Sequence, residues 1–340
     1  MGSPRQRTLK YLGVAPSLPL DAPDAIVLFA GGGGVECGLI EAGIRPILSV
    51  ELDPSQPDLS AALAATNHLN FKPYGGRVIR RTVQALATAK FADFPHQPDY
   101  LIATPVCTNF SQANNGEEQD GDIEAALAVA QGVSILQPAC FILENVPTYR
   151  KSKSWQLIET TLNTQGYFIV SSVLDVADYG VPQSRRRFIV KATKVGSPGF
   201  PLKQHRIGWY QAIADLIPHL PPSDLLNAQQ VVLEERLSFK PGLEALIIER
   251  IGYKKKPQAK EPAEPIWTLK KSIFHDQRGN NRSKFIDIWL ASGHVKALTI
   301  EGAARLQGFP TWYCLPKEVR VAGSILGYSV PPPLVKALVS

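Results

Sequence analysis

The first ordered signal in the chain is an unbroken apolar run at residues 25–30, Ala-Ile-Val-Leu-Phe-Ala, which ends in Gly31-Gly32-Gly33-Gly34. Runs of this length closed by a breaker mark strands buried on both faces, as in a parallel sheet. The pattern recurs. Residues 46–50 end on Glu51, residues 99–103 on Thr104-Pro105, and residues 140–143 on Glu144, while the run at 188–190 follows an arginine cluster. Shorter strands are predicted near 77–83 and at 167–175. Helix-period segments fall between them, at 35–42, about 55–67, 123–136 and 155–166. Buried strands alternating with helices predict an α/β fold with a mostly parallel sheet.

After residue 193 the alternation is lost. Gly196, Pro198, Pro201, Pro218, Pro221 and Pro222 break the chain, and basic residues gather at Lys254-Lys255-Lys256 and at Arg278, Arg282 and Lys284. Trp267, Phe274, Asn280 and Asn281 lie among them. This predicts a second, irregular domain whose loops either meet phosphates and base edges or form a solvated basic face. Periodicity returns at Thr299, with a helix over 300–306 stopped by Gly308-Phe309-Pro310 and a last helix opened by residues 327–331. Asp122 reads as the N-cap of the helix at 123, and Glu124 as its dipole partner. Glu117 and Glu118 have no local role in the pattern.

Composition narrows the class without naming it. The chain has 340 residues, 44% hydrophobic and 19% charged, which suits an enzyme of one large domain and a smaller one. A net charge of +6 and a pI near 9.0 lean toward a polyanionic partner. Cys37, Cys107, Cys140 and Cys314 show no CxxC pair and no metal-ligand spacing. With no secretory signal and no apolar run of transmembrane length, a reducing cytosol is the expected compartment.

The chemistry gathers where apolar strands end. Ligands of open α/β sheets bind at the carboxyl ends of the strands. The glycine turn after the first strand, with Glu51 roughly 20 residues on, describes a nucleotide-type site: glycines admit a ligand to the backbone, and the acid accepts from ribose hydroxyls. A flexible turn reads the glycines alone equally well, and the ligand is left open between NAD and S-adenosylmethionine. A lone cysteine usually only packs. Cys107 differs in its company: the glycine turn upstream, Glu144-Asn145-Val146 downstream, then Gln183-Ser184-Arg185-Arg186-Arg187. A carboxylate at the end of a buried strand is either functional or a cap or ion-pair partner.

The ordered set resembles the DNA (cytosine-5) methyltransferases from residue 25 onward. Phe29-Ala30-Gly31-Gly32-Gly33-Gly34 is similar to the cofactor loop, Glu51 to the ribose acid, and Pro105-Val106-Cys107 to the nucleophile motif. Glu144-Asn145-Val146 resembles its acid partner and residues 183–187 the QxRxR element. Residues 305–310 and Gly327-Tyr328-Ser329-Val330 resemble the last two motifs. The resemblance implies a Rossmann-like, seven-stranded, mostly parallel sheet binding S-adenosylmethionine, with catalytic residues Cys107, Glu144, Arg185 and Arg187. Phe29, Gly31, Gly33, Gly34, Glu51, Leu52, Thr82, Val83, Pro105, Ser329 and Val330 would contact the cofactor, and no metal is implied. It further implies a lead-in at 1–24, a catalytic domain at 25–193, a target recognition domain at 194–298 and a C-terminal segment at 299–340 that returns to the catalytic domain. The expected partner is double-stranded DNA, with a cognate restriction endonuclease, no membrane, a monomeric state and a location in the prokaryotic cytosol or nucleoid.

Three positions depart from the family pattern: Val106 stands for a proline, Thr82 for the acid that holds the adenine amine, and Tyr328 for an asparagine. Rival readings are a tRNA methyltransferase of the same fold, a DNA-binding relative without activity, and a nicotinamide dehydrogenase. The basic segment before Thr299 favours DNA over tRNA. The intact Cys107, Glu144 and Arg187 oppose an inactive relative, and a dehydrogenase leaves Cys107 and Glu144 unexplained.

Overall fold

A computed structural model describes residues 13–106, 118–250, 256–271 and 282–340. Contacts gather the chain into two compact units. The larger comprises residues 14–175, 186–203 and 334–340. It carries β1 (Asp24–Leu28), α1 (Gly34–Glu41), β2 (Arg45–Val50), α2 (Pro57–Phe71), β3 (Arg77–Ile79), α3 (Val83–Thr88) and β4 (Tyr100–Ala103). Then come α4 (Asp120–Leu136), β5 (Cys140–Asn145), α5 (Lys153–Thr164), β6 (Phe168–Asp175) and β7 (Arg186–Thr193).

The seven strands form one sheet in the order β3-β2-β1-β4-β5-β7-β6. Only β7 runs against its neighbours; the other pairings are parallel. The mostly parallel α/β fold expected from the apolar runs is therefore present. Ile26, Leu28, Leu101, Phe141 and Leu143 are fully buried beneath the helices. Burying such side chains contributes roughly 1.5–3 kcal/mol each. Residues of the C-terminal helix (Pro332–Val339) close against this sheet: Tyr100 donates to the Val339 carbonyl and Lys191 to that of Leu338.

The strand order reverses between β1 and β4, because β2 and β3 lie on one side of β1 and the later strands on the other. A switch point of this kind opens a crevice at the carboxyl ends of the two strands. Here those ends lead directly into Phe29–Gly34 and Thr104–Val106, so the topology alone sets the glycine turn beside the residues that precede Cys107.

Two local expectations need correction. The third strand stops at Ile79, because the Thr82 hydroxyl accepts from the Ala85 N–H and starts α3. The helix at 123 begins earlier, at Asp120; Asp122 lies inside its first turn, its carboxylate accepting from the Gln119 N–H at 2.9 Å.

The second unit comprises Gly13 and residues 176–185 and 204–333 among the described residues. The expected loss of regular structure after residue 193 does not hold. The unit contains α6 (Trp209–Ile213), α7 (Asn227–Phe239), β8 (Ala245–Glu249), β9 (Ala259–Lys260), β10 (Arg282–Leu290) and β11 (Val295–Thr299). The strands pair as an antiparallel sheet in the order β11-β10-β8-β9. Residues 299–333, with α8 (Ile300–Leu306) and α9 (Val319–Tyr328), cluster in this unit.

A polar cluster sits in its core. Asp287 is fully buried in β10; it accepts from the Ser223 hydroxyl at 2.7 Å and from Gln229 at 3.0 Å, and pairs with Arg250 at 3.4 Å. A charge in mid-strand disguises the apolar pattern of β10.

Candidate active site

The glycine turn is a strained backbone held by its neighbours. Phe29 has φ 61°, a left-handed conformation that costs a non-glycine residue energy. Its carbonyl accepts from the Thr104 hydroxyl at 3.0 Å, and the Ala30 N–H donates to Val50 at 2.9 Å, which lashes the turn to β4 and β2. Gly33 has φ 99°, and a Cβ there would lie 2.3 Å from the Phe71 ring. Gly31 (φ 54°) would have nothing within 4 Å of a Cβ, so the backbone is open to a ligand at that point. Gly34 starts α1.

Glu51 follows β2 and is buried. Its carboxylate accepts from the Gly31 N–H at 2.9 Å and from the Ser60 hydroxyl at 2.9 Å. Burial pushes its pKa up, while Ser60, Gly31 and Arg80 favour the charged form and Asp53 opposes it. An acid so placed beside open glycine backbone fits a ribosyl cofactor. Leu52 is half-buried next to it and Val83 is buried, whereas the Thr82 hydroxyl is engaged as a helix cap.

The second half of the site lies at the ends of β4 and β5. Thr104 N–H donates to Leu28 at 3.3 Å, and the buried Pro105 offers its carbonyl to the Asn145 side chain at 3.2 Å. Val106 is half-exposed, and Cys107 lies outside the described residues, as do Ser111, Gln112 and Asn114. Glu144 is the penultimate residue of β5, opposite Ile189 of antiparallel β7. That register brings Arg187 to it: Arg187 Nε lies 2.8 Å from Glu144 Oε1, with both side chains nearly buried. Phe29, Gly31, Glu51, Pro105, Glu144 and Arg187 thus all stand at one edge of one sheet.

Glu118, which had no role in the sequence pattern, takes one here. Its carboxylate accepts from the N–H groups of Lys153 (2.9 Å) and Ser154 (2.7 Å) and from the Ser154 hydroxyl, at the first turn of α5. It fastens the chain just before α4 to the start of α5. The remaining cysteines are poor nucleophiles. Burial pushes the Cys37 thiol well up and that of Cys140 up to about 11, and raises that of Cys314.

The other predicted residues belong to the second unit. Arg185 is buried, and its guanidinium donates to the carbonyls of Leu269 (3.3 Å) and Gly327 (3.0 Å). The Gln183 amide donates to that of Gln307 and accepts from the Leu269 N–H at 3.1 Å, and Gln307 donates to the Ser329 carbonyl at 3.0 Å. Val330 is buried. The late motifs therefore bind one another, and Arg185 is committed to their backbone. Tyr328 accepts a hydrogen bond from Lys271, whose ammonium lies 4.9 Å from its ring centroid. Lys256 forms an exposed ion pair with Glu235. Lys254, Lys255, Phe274, Arg278, Asn280 and Asn281 lie outside the described residues, and Trp267 is half-buried.

An open sheet with a glycine turn and a buried acid at its switch point, and a glutamate–arginine pair at the same edge, suits a group-transfer enzyme with a nucleoside cofactor. The chain belongs to the C-5 cytosine-specific DNA methylase family, whose pattern matches residues 24–340. It is an S-adenosylmethionine-dependent DNA (cytosine-5) methyltransferase.

Among its relatives, Type II methyltransferase M1.HphI of Haemophilus parahaemolyticus is 27% identical over 334 residues, 92% of this chain and 84% of the relative. Type II methyltransferase M.AplI of Arthrospira platensis is 25% identical over 336 residues, covering 97% and 89%. The fold is shared with a solved mutant of Spodoptera frugiperda DNMT2 (TM-score 0.62, 15% identity, 94% of this chain and 98% of the other). It is shared also with the Entamoeba histolytica methyltransferase EhMeth (TM-score 0.60, 16% identity, 94% and 97%). No helix among the described residues is long and apolar enough to cross a membrane.

Proposed function

We propose that Cys107 is the nucleophile, that Glu144 and Arg187 hold and polarise the target cytosine, and that the turn Phe29–Gly34 with Glu51 holds the cofactor. The observation that carries this reading is the Glu144–Arg187 pair standing beside the Asn145-to-Pro105 bond, one residue from the segment that delivers Cys107. Cytosine C5 is a weak nucleophile. The Cys107 thiolate adds to C6, and the electron pair of the C5–C6 bond moves toward C5 as Glu144 gives a proton to N3. Arg187 faces the O2 side and stabilises negative charge that develops there. Bound S-adenosylmethionine supplies the methyl group that C5 takes. Loss of the C5 proton to a base then expels the thiolate and restores the ring. The base leaves the duplex to reach these groups, which costs a few kcal/mol of unstacking.

Gly31, Glu51 and Leu52, with Phe29, Gly33 and Gly34, would hold the cofactor; Val83, Pro105, Ser329 and Val330 complete the proposed set. Residues 194–298 choose the duplex site and act with a cognate restriction endonuclease, the enzyme working as a monomer in the prokaryotic cytosol or nucleoid. The type II names of the relatives support the pairing with an endonuclease, and the net charge of +6 supports a polyanionic partner. Bisulfite sequencing of DNA from cells expressing the protein tests the reading. Methylcytosine at one recurrent sequence, absent with Cys107→Ala, is the expected result; methylation that persists in that variant refutes the site. Exchange of residues 194–298 for those of a relative with another target should move the methylated sequence.

A further inference from the structure

Behind the glycine turn lies a carboxyl group that the reaction does not use. Glu36, in the first turn of α1, is fully buried. Its Oε1 accepts from the Ser49 hydroxyl at 2.6 Å and from the Asn67 amide at 2.8 Å. Among the described residues its Oε2 has no hydrogen-bond partner, and neither has Asn67 Oδ1. Ser49 is on β2, two residues before Glu51; Asn67 is on α2, its Nδ2 3.3 Å from the place a Cβ of Gly33 would take. The side chain therefore ties together the three elements that form the back of the turn.

Its partners are all neutral. The ionisable groups that bear on it are Glu51, at the end of β2, and Cys37, its neighbour on α1; from α2 the group that reaches it is the neutral Asn67. Glu51 is better supplied, with the Gly31 N–H, the Ser60 hydroxyl and Arg80 favouring its anion. Two buried carboxyls that oppose each other's ionisation sort their protons by environment.

We propose that Glu36 is a positioning residue that works as a neutral carboxylic acid, bracing the cofactor turn and leaving Glu51 as the anion of the cofactor site. This rests on the reading of Glu51 as the ribose acceptor. Burial pushes Glu36 up to about 7, so its proton is lost within an ordinary working range. A second charge then appears behind Glu51, with one oxygen unpartnered among the described residues, and opposes the Glu51 anion. Cofactor affinity is predicted to fall as pH rises through neutrality, by roughly tenfold. By reciprocity, cofactor binding near neutral pH takes up part of a proton, about half at most for a tenfold coupling.

The test is calorimetric titration of the full chain with S-adenosylhomocysteine from pH 6 to 9, in buffers of different ionisation enthalpy. Wild type should weaken with pH and take up about half a proton at most, near pH 7.5. Glu36→Gln keeps the amide-bonding shape without the charge; it should bind at pH 6 as wild type does, stay flat to pH 9 and take up none. Glu36→Ala should bind weakly throughout. Equal pH profiles for wild type and Glu36→Gln, or lost binding by Glu36→Gln at pH 6, would overturn the proposal.

Should Glu36→Gln not fold, carboxyl NMR of wild type decides. A glutamate that titrates near neutral pH without ligand, and whose midpoint S-adenosylhomocysteine raises, supports it; none of this kind refutes it. Glu51→Ala tests the ribose reading separately, since unchanged binding there removes Glu51 from the site while leaving the ligand-free titration of Glu36 to stand or fall by itself.

Discussion

The two units contrast in how they hold charge. In the parallel sheet, polar groups stand at strand ends: Glu51 and Glu144 lie at the carboxyl edge, with apolar strands behind them. In the antiparallel unit the main charge, Asp287, lies in mid-strand and is neutralised inside the core by Arg250, Ser223 and Gln229. The first arrangement places carboxylates at the sheet edge where ligands of such folds bind. The second spends them on holding α7 to its sheet. Mutations in the two units should therefore fail differently, one in rate and the other in stability.

The largest effect is expected at Glu144. Glu144→Gln removes the proton donor but keeps the side-chain shape, so methylation should slow about 10²–10⁴-fold. Single-turnover rates measure this, and S-adenosylhomocysteine affinity should stay within twofold or so, because the cofactor site is untouched.

Asp287→Ala should act on folding instead. It leaves Arg250 and Gln229 without their buried acceptor, a loss of about 3–5 kcal/mol by the rule for breaking one side of a buried pair. Hydrogen exchange should show β8 and β10 losing protection while β1, β4 and β5 keep theirs; equal loss in both would break the contrast drawn above.

A buried carboxyl inside the sheet unit sharpens it. Glu36 is raised from its ordinary 4.5 to about 7, so the folded chain holds a proton that the unfolded chain has lost. Stability from this group is fully present below pH 4.5 and falls as pH rises to about 7, after which the loss is constant. The whole loss is roughly 3 kcal/mol, and Glu36→Gln should remove it, so its Tm advantage over wild type should grow across that window and then level.

The smallest effect is at Glu118, whose carboxylate caps the first turn of α5. Glu118→Ala should cost about 1–2 kcal/mol, seen as a lower denaturation midpoint.

The sheet was legible because each long buried strand is a local pattern with its chemistry at the end. Residues 25–30, 46–50 and 140–143 needed no knowledge of their neighbours. Glu118 was opaque since its partners lie 35 and 36 residues away, and no local spacing marks them. The Asn145-to-Pro105 bond and the Glu36–Asn67 contact are hidden for the same reason. In the second unit, β8 reads Ala-Leu-Ile-Ile-Glu, yet prolines around it and Asp287 within its partner masked a sheet formed by non-local pairing. The family resemblance assigns Arg185 and Arg187 alike to catalysis. The fold divides them, giving Arg187 to Glu144 and Arg185 to backbone carbonyls of the other unit.

The central claim is that Cys107 attacks cytosine at the edge where Glu144 and Arg187 stand. Duplex DNA carrying 5-fluorocytosine at the methylated position measures it directly, since fluorine at C5 leaves no proton to lose and the adduct persists. With S-adenosylmethionine, wild type should give a protein–DNA species stable to denaturing electrophoresis. It should be absent with Cys107→Ala, much slower to form with Glu144→Gln, and retained when Cys37, Cys140 or Cys314 is replaced. A wild-type enzyme that methylates the unmodified site yet traps nothing on the fluorinated one would contradict the account.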